Sequence, residues 1–122
     1  MVQLAHGWQL DVERGPNCLF VRPHGVAPLD EEGPSFGETI WDLLEQNFVQ
    51  RLVLEFDDVA ELDNYLIGQL VWLDTRIHAN GGLMRVTGLS PKCQKMLRKC
   101  QLEGRFPACA SRAEALVGHW PR

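Results

Sequence analysis

An acidic segment near the middle of the chain holds the side chains best suited to chemistry. Asp57, Asp58, Glu61 and Asp63 follow an apolar run over residues 51–56. Carboxylates after a strand can bind Mg²⁺ or act on phosphate groups. A glycine-rich phosphate loop is missing, however, and no lysine follows at P-loop spacing. Acids also suit the N-terminus of a helix, so we predict an electrostatic or capping role that can attract a basic partner.

The motifs of common catalytic sites are absent from the sequence. It has no GxSxG or HExxH motif, and no cysteine–histidine pair in the context of a nucleophile. The 4 cysteines and 4 histidines are scattered, without a CxxC pair or zinc-finger spacing. We therefore predict no enzymatic activity, no metal and no cofactor, and we expect mostly buried thiols.

A helix predicted over residues 64–79 carries aromatic residues away from its apolar stripe. At ~100° per residue, the stripe consists of Leu66, Leu70, Leu73 and Ile77. The opposite side carries Tyr65, Gln69, Trp72 and Arg76. Aromatic residues and arginine dominate binding hot spots, so this side predicts a partner or self-association surface. Packing of Trp72 under a long loop or a chain terminus is the open alternative.

The next helix, predicted over residues 91–100, separates apolar from basic residues. Its apolar positions are Cys93, Met96, Leu97 and Cys100. That spacing is typical of a core-facing stripe. The opposite face carries Lys92, Lys95 and Lys99, with Arg98 nearby. We interpret the basic face as solvated, and a docking site for an acidic partner remains the alternative.

The elements that position these residues follow from hydrophobic periodicity and turn signals. Strands are predicted at residues 8–14, 18–22, 51–56, 83–87 and 105–109. Helices are predicted at about residues 36–47, 64–79 and 91–100, with a last one capped by Ser111. Residues 23–37, which are rich in proline and glycine, predict an exposed loop, and residues 118–122 a tail.

Alternation of strand and helix in the second half favours parallel pairing through right-handed crossovers. The first two strands, joined by the turn Gly15-Pro16-Asn17, predict an antiparallel hairpin. The sequence therefore predicts an α/β fold, in which helices pack on a mixed sheet. We expect about five strands and about four helices in a single domain over residues 1–122.

Composition limits the partners of this domain. A formal net charge of −4 argues against a nucleic-acid surface. No apolar run approaches the ~20 residues that span a bilayer. The start of the chain lacks a basic stretch followed by an apolar one, as a signal peptide would have. We expect a cytoplasmic protein that binds neither nucleic acid nor membrane.

Several short landmarks follow one another in order between Leu52 and Leu116. They are the strand over residues 52–55, the turn over residues 59–68, Asn80-Gly81-Gly82, Ser90-Pro91 and Gly104-Arg105-Phe106-Pro107. Their order and spacing resemble the STAS family, the domain of anti-sigma-factor antagonists. The resemblance implies a protein-binding domain whose partner is an anti-sigma factor or a related kinase-like regulator. A homodimer remains possible within this interpretation.

The resemblance also implies a phosphorylation site, at which this sequence differs. In the family, the residue after the aspartate of the turn is a serine or threonine that the partner kinase phosphorylates. Here Asp63 matches the aspartate, and Asn64 occupies the phosphoacceptor position. Asparagine can accept a hydrogen bond from a helix N-terminus but cannot accept phosphate. We therefore expect binding without that switch; the alternative is a regulatory domain that senses a small molecule or nucleotide at the Asp63–Asn64 loop.

Overall fold

The computed structural model describes residues 2–5, 8–25, 35–106 and 108–109, and no side chains at 2–5, 8, 25 and 108. The strands are β1 (Val2–Ala5), β2 (Trp8–Arg14), β3 (Leu19–Gly25), β4 (Arg51–Glu55), β5 (Leu83–Thr87) and β6 (Ala108–Cys109). The helices are α1 (Phe36–Gln46), α2 (Asn64–Ala79) and α3 (Pro91–Lys99). The helix predicted after Ser111 and the tail lie outside the described residues.

The six described strands form one mixed sheet in the order β1-β2-β3-β4-β5-β6. β1, β2 and β3 are antiparallel neighbours, whereas β3 to β6 run parallel. The predicted hairpin and mixed α/β sheet are confirmed. The expected strand number of about five was wrong, because Val2–Ala5 adds an edge strand to β2. Its short sequence carries little periodicity of its own, and pairing with β2 defines it.

Most predicted boundaries lie within one residue of the structure, and two do not. β3 continues through Pro23 to Gly25, into the predicted loop. Its pairing with β4 ends at Val21, so Pro23 needs no N–H on that side. At the other end, residues 105 and 106 form a turn in which both backbone N–H groups donate to the Leu102 carbonyl. β6 is therefore only Ala108–Cys109.

The core joins one face of the sheet to the three described helices. The strands contribute Leu10, Leu19, Val21, Leu52, Leu54 and Val86, and the helices contribute Ile40, Leu44, Leu66, Leu70, Leu73, Cys93 and Leu97. On the opposite face, Cys18, Phe20 and Val53 form a small second cluster. Cys100 is exposed, contrary to the predicted stripe. The chain turns after α3, so Leu102 packs against the core instead.

Candidate functional site at the start of α2

The acidic segment connects the carboxyl end of β4 to the start of α2. Its apolar residues anchor it, since Phe56, Val59 and Leu62 are buried in the core. The Phe56 backbone N–H donates to the Thr87 carbonyl over 2.8 Å, which extends the contact with β5. The acids between these anchors face outward, and all are exposed: Asp57, Asp58, Glu61 and Asp63. The segment therefore presents carboxylates on a base that the core holds in place.

Two basic side chains of β3 hold the first half of this segment. Arg22 Nη2 lies 3.7 Å from a carboxylate oxygen of Glu55 and 3.9 Å from one of Asp57. His24 lies between two acids, with Nδ1 3.0 Å from Asp58 Oδ2 and Nε2 2.5 Å from Asp11 Oδ2. These contacts tie the acidic segment to the β2–β3 hairpin. His24 was missed because the predicted strand ended at Arg22, and the Arg22 contacts were missed because they join segments that are distant in sequence.

The connection between β5 and α3 supports the segment from the other side. Ser90 Oγ donates to the Ala60 carbonyl over 2.9 Å and accepts from the Cys93 backbone N–H over 3.2 Å. Gly88 adopts a φ of 67°, and a Cβ there would lie 2.4 Å from Asp57 Oδ1. Glycine is therefore required where this connection approaches the acidic segment.

The start of α2 has a capping residue, Asp63, followed by an exposed residue, Asn64. Asp63 is the N-cap, and its Oδ1 accepts a hydrogen bond from the Leu66 backbone N–H over 2.8 Å. Asn64 is the first helical residue and is exposed. Within residues 35–106, the Asn64 side chain forms no hydrogen bond. Capping therefore belongs to Asp63, and the Asn64 amide is available to a binding partner.

Tyr65 and Gln69 point toward α1 and complete its N-terminus. Tyr65 Oη accepts from the Phe36 backbone N–H over 3.1 Å, and Gln69 Oε1 accepts from the Gly37 N–H over 2.8 Å. Both N–H groups belong to the first turn of α1, which has no partners within its own helix. The expected solvent-facing position was wrong for these two residues, which are half-buried. They lie on the flank of α2 that α1 covers, and a role in partner binding stays a prediction.

Trp72 and Arg76 continue the same contact with α1 but reach its surface. Trp72 is 36% exposed, and a Cβ on Gly37 would lie 2.8 Å from its Cε3. The Arg76 guanidinium carbon lies 5.3 Å from the ring centres of both Trp72 and Trp41. That distance allows a cation–π interaction with each ring. Of the predicted hot spot, Arg76 and the edge of Trp72 are accessible.

A charged cluster that the sequence analysis missed holds the opposite flank of α2. Asp74 is 2% exposed, and its Oδ2 accepts from Arg105 Nε over 2.6 Å. Arg105 also donates to Thr75 Oγ1 over 2.6 Å, and His78 Nδ1 lies 3.0 Å from Asp74 Oδ1. The sequence around Asp74 does not predict this pair, because Arg105 is distant in sequence. With α1 on the other flank, α2 is held on both sides.

The exposed surface around Asn64 is small, polar and acidic. It contains Glu61, Asp63, Asn64 and Gly68, and a Cβ on Gly68 would have nothing within 4 Å. Such a surface can accept hydrogen bonds and attract basic side chains. In the described part of the chain, no group of three His, Cys, Asp or Glu side chains could hold a metal ion. None of the described helices is long and apolar enough to cross a membrane.

Comparison with known proteins gives a consistent result. The family model described as the STAS domain matches residues 9–115. A solved anti-sigma factor antagonist from Mycobacterium paratuberculosis is 18% identical with a TM-score of 0.69, covering 93% of this chain and 97% of that one. The anti-sigma factor antagonist SpoIIAA in its unphosphorylated form is 18% identical with a TM-score of 0.65, covering 88% and 92%.

A variant of RsbS from Moorella thermoacetica has the same fold. It is 16% identical with a TM-score of 0.71, covering 88% of this chain and 91% of that one. No curated protein sequence matches this chain. At these identities, the solved structures establish the fold shared with anti-sigma factor antagonists.

Proposed function

We propose, because the chain belongs to the STAS domain family, that it is a non-catalytic module that binds an anti-sigma factor or a related kinase-like regulator. The observation that carries the proposal is the exposed start of α2 on a rigid base, with Asp63 as cap and Asn64 beside it. Similarity in fold to anti-sigma factor antagonists supports this partner class.

The base of this surface favours binding because little of it has to be ordered when a partner docks. Arg22 and His24 hold the acidic segment on one side, and Ser90 and Gly88 hold it on the other. A preorganised surface loses less conformational entropy on association. The acids that remain outward-facing then favour a partner with basic side chains.

Asn64 makes this binding independent of phosphorylation at that position. A phosphate at the first turn of a helix adds about −1.5 to −2 charge, which would lie next to Glu61 and Asp63. An asparagine amide offers a donor and an acceptor without charge. The proposed module therefore stays in one binding state where a serine-bearing relative would alternate between two.

The test is recovery of the partner from native cell extract with the full chain as bait. Gly68→Arg should abolish recovery, because position 68 is exposed, a Cβ there has nothing within 4 Å, and the new side chain adds bulk and positive charge to the docking surface. Asn64→Asp should reduce recovery, since it adds charge next to Glu61. The matched control is Ala79→Arg, an exposed position at the other end of α2.

Phosphorylation is tested separately with the recovered partner and ATP. The wild-type chain should remain unmodified in mass spectrometry, and Asn64→Ser should gain one phosphate on the introduced serine. Equal recovery of the partner by Gly68→Arg and wild type would contradict the proposed binding surface. Phosphate on the wild-type chain at the start of α2 would contradict the proposed role of Asn64.

A further inference from the structure

A groove of mixed polarity lies at the end of α2 that is remote from Asn64. Its volume is about 850 Å³, and it opens between the end of α1, the end of α2 and the start of β4. Its apolar lining consists of Trp41, Leu44, Phe48, Val49 and Ile77, and its polar side chains are Asn17, Glu45, Gln50, Arg51 and Asn80. α2 has 16 residues, so at about 1.5 Å per residue the groove lies about 24 Å from Asn64. The groove is therefore separate from the surface already proposed.

Phe48 stands at the edge of this groove in an unfavourable conformation. It is 92% exposed, and its φ of 54° lies in the left-handed region that favours glycine. The turn around it is well formed, because the Val49 backbone N–H donates to the Leu44 carbonyl over 3.2 Å. A strained backbone that displays an aromatic side chain to solvent points to a use outside the fold.

The outer face of α1 beside the groove carries only acids among its charged residues. Glu38, Asp42 and Glu45 are exposed at i, i+4 and i+7, and Glu45 lines the groove. Like charges at this spacing repel one another, and an acid in the last turn opposes the helix dipole. Within residues 35–106, none of these carboxylates forms an ion pair.

We propose that this groove is a second docking surface and that its occupant is a basic amphipathic helix of a partner protein. A bulky apolar side chain of that helix enters the groove between Trp41 and Phe48. Lysines or arginines next to this anchor pair with Asp42 and Glu45. Apolar anchors in a groove are a recurring mode of helix recognition, and the acidic face selects a basic helix over an acidic one.

A second copy of this chain fits the groove less well than such a partner. The basic face of α3 carries Lys92, Lys95 and Lys99 at a spacing that matches the acids of α1 in antiparallel orientation. Among the described residues, however, the exposed large apolar side chains are Phe48 and Trp72, and neither belongs to α3. The lysines of α3 therefore lack the anchor that the groove requires. Docking at the groove leaves the start of α2 accessible, so the domain can bridge two partners.

The test uses fluorescently labelled helical peptides as defined probes and measures their anisotropy with the full chain. The main probe carries leucines on one face of the helix and lysines on the other. One matched peptide has glutamate in place of lysine, and another has serine in place of leucine. Only the leucine–lysine peptide should bind. Phe48→Gly, and the triple variant Glu38→Gln, Asp42→Asn, Glu45→Gln, should each weaken its binding at least about tenfold.

Urea denaturation of both variants separates a loss of binding from a loss of folding. Glu103→Gln, an exposed acid after α3 that lies in neither proposed docking surface, is the matched control and should leave the affinity unchanged. Equal weakening by Glu103→Gln, equal binding of the serine–lysine peptide, or no saturable binding of the leucine–lysine peptide would each overturn the proposal. Self-association of the wild-type chain that Lys95→Glu abolishes would assign the groove to a second copy, and would also overturn it.

Discussion

The two ends of α2 differ in how well their local interactions are satisfied. At the first end, Asp63 caps the helix, the acidic segment is anchored in the core, and β3 supplies positive charge. At the last end, Phe48 is exposed in a left-handed conformation beside an α1 that ends without a basic residue. The first end is a stable platform, and the second retains features that reduce the stability of the isolated domain.

This difference affects how each surface can be recognised. The start of α2 is recognised by resemblance to a family and by the position of one residue, Asn64. The groove is recognised by two unfavourable local features, the left-handed backbone of Phe48 and the acids of α1 that are unpaired within residues 35–106. A surface whose local interactions are all favourable cannot be told from ordinary structure by its local energies. A surface with uncompensated unfavourable interactions can. Variants at the first end should therefore lower the stability of the domain, whereas removal of the Phe48 side chain should raise it.

The largest expected effect comes from the buried pair that holds α2 between its two ends. Arg105→Leu leaves the Asp74 carboxylate buried without its main partner, which should lower the free energy of unfolding by about 3 kcal/mol. Urea denaturation measures the change. Arg98→Leu removes an exposed pair with Glu103 and should cost less than about 1 kcal/mol. If the two variants lose similar stability, Asp74 does not depend on Arg105.

Gly88→Ala should disturb the first end specifically. The added Cβ would approach Asp57 Oδ1 to 2.4 Å in a backbone with a φ of 67°, so strain and displacement together should cost about 2–3 kcal/mol. Gly81→Ala is the matched control: its φ is 81°, and nothing lies within 4 Å of the new Cβ. It should cost about 1–2 kcal/mol from the backbone alone. Partner recovery should fall for Gly88→Ala only; equal recovery would show that the acidic segment is not needed for binding.

A structural feature could be predicted from the sequence where neighbouring residues determine it, and could not where residues distant in sequence do. The cap at Ser90, the helix over residues 64–79 and the strand over residues 83–87 follow from neighbouring residues, and the structure confirms them. The Asp74–Arg105 pair and the His24–Asp58 contact join distant segments, so no pattern within one element reveals them.

The flank of α2 shows a subtler limit. Its periodicity correctly separates the stripe of Leu66 and Leu70 from the rest, but it cannot tell which of the remaining sides a second helix covers. Tyr65 and Gln69 lie about 100° from the stripe, where α1 packs and takes their hydrogen bonds. Phe48 shows the opposite case: in sequence it continues the apolar spacing of Ile40 and Leu44, which predicts a buried side chain, but its backbone is left-handed and its side chain is exposed.

A smaller effect separates the two neighbouring residues at the first end. Asp63→Ala removes the cap on the Leu66 N–H and should lower the free energy of unfolding by about 1 kcal/mol. Asn64→Ala should change it by less than about 0.5 kcal/mol, because the side chain makes no hydrogen bond in the domain. Thermal denaturation of both variants, with Asp63→Asn as a capping-competent control, gives the comparison. A larger loss for Asn64→Ala than for Asp63→Ala would reverse the two roles.

The smallest effect has the opposite sign and lies at the other end. Phe48→Gly relieves a left-handed conformation that costs a non-glycine residue about 1–2 kcal/mol, while the greater freedom of glycine in the unfolded chain offsets about 0.5–1 kcal/mol of this. The variant should therefore be more stable than wild type by about 0.5–1 kcal/mol in urea denaturation. Val49→Gly, a half-buried neighbour that packs against the core, should instead be destabilised. If Phe48→Gly stabilises the domain but weakens peptide binding, the phenylalanine is kept for binding and the groove is a functional surface. If Phe48→Gly is less stable than wild type, the aromatic side chain supports the fold.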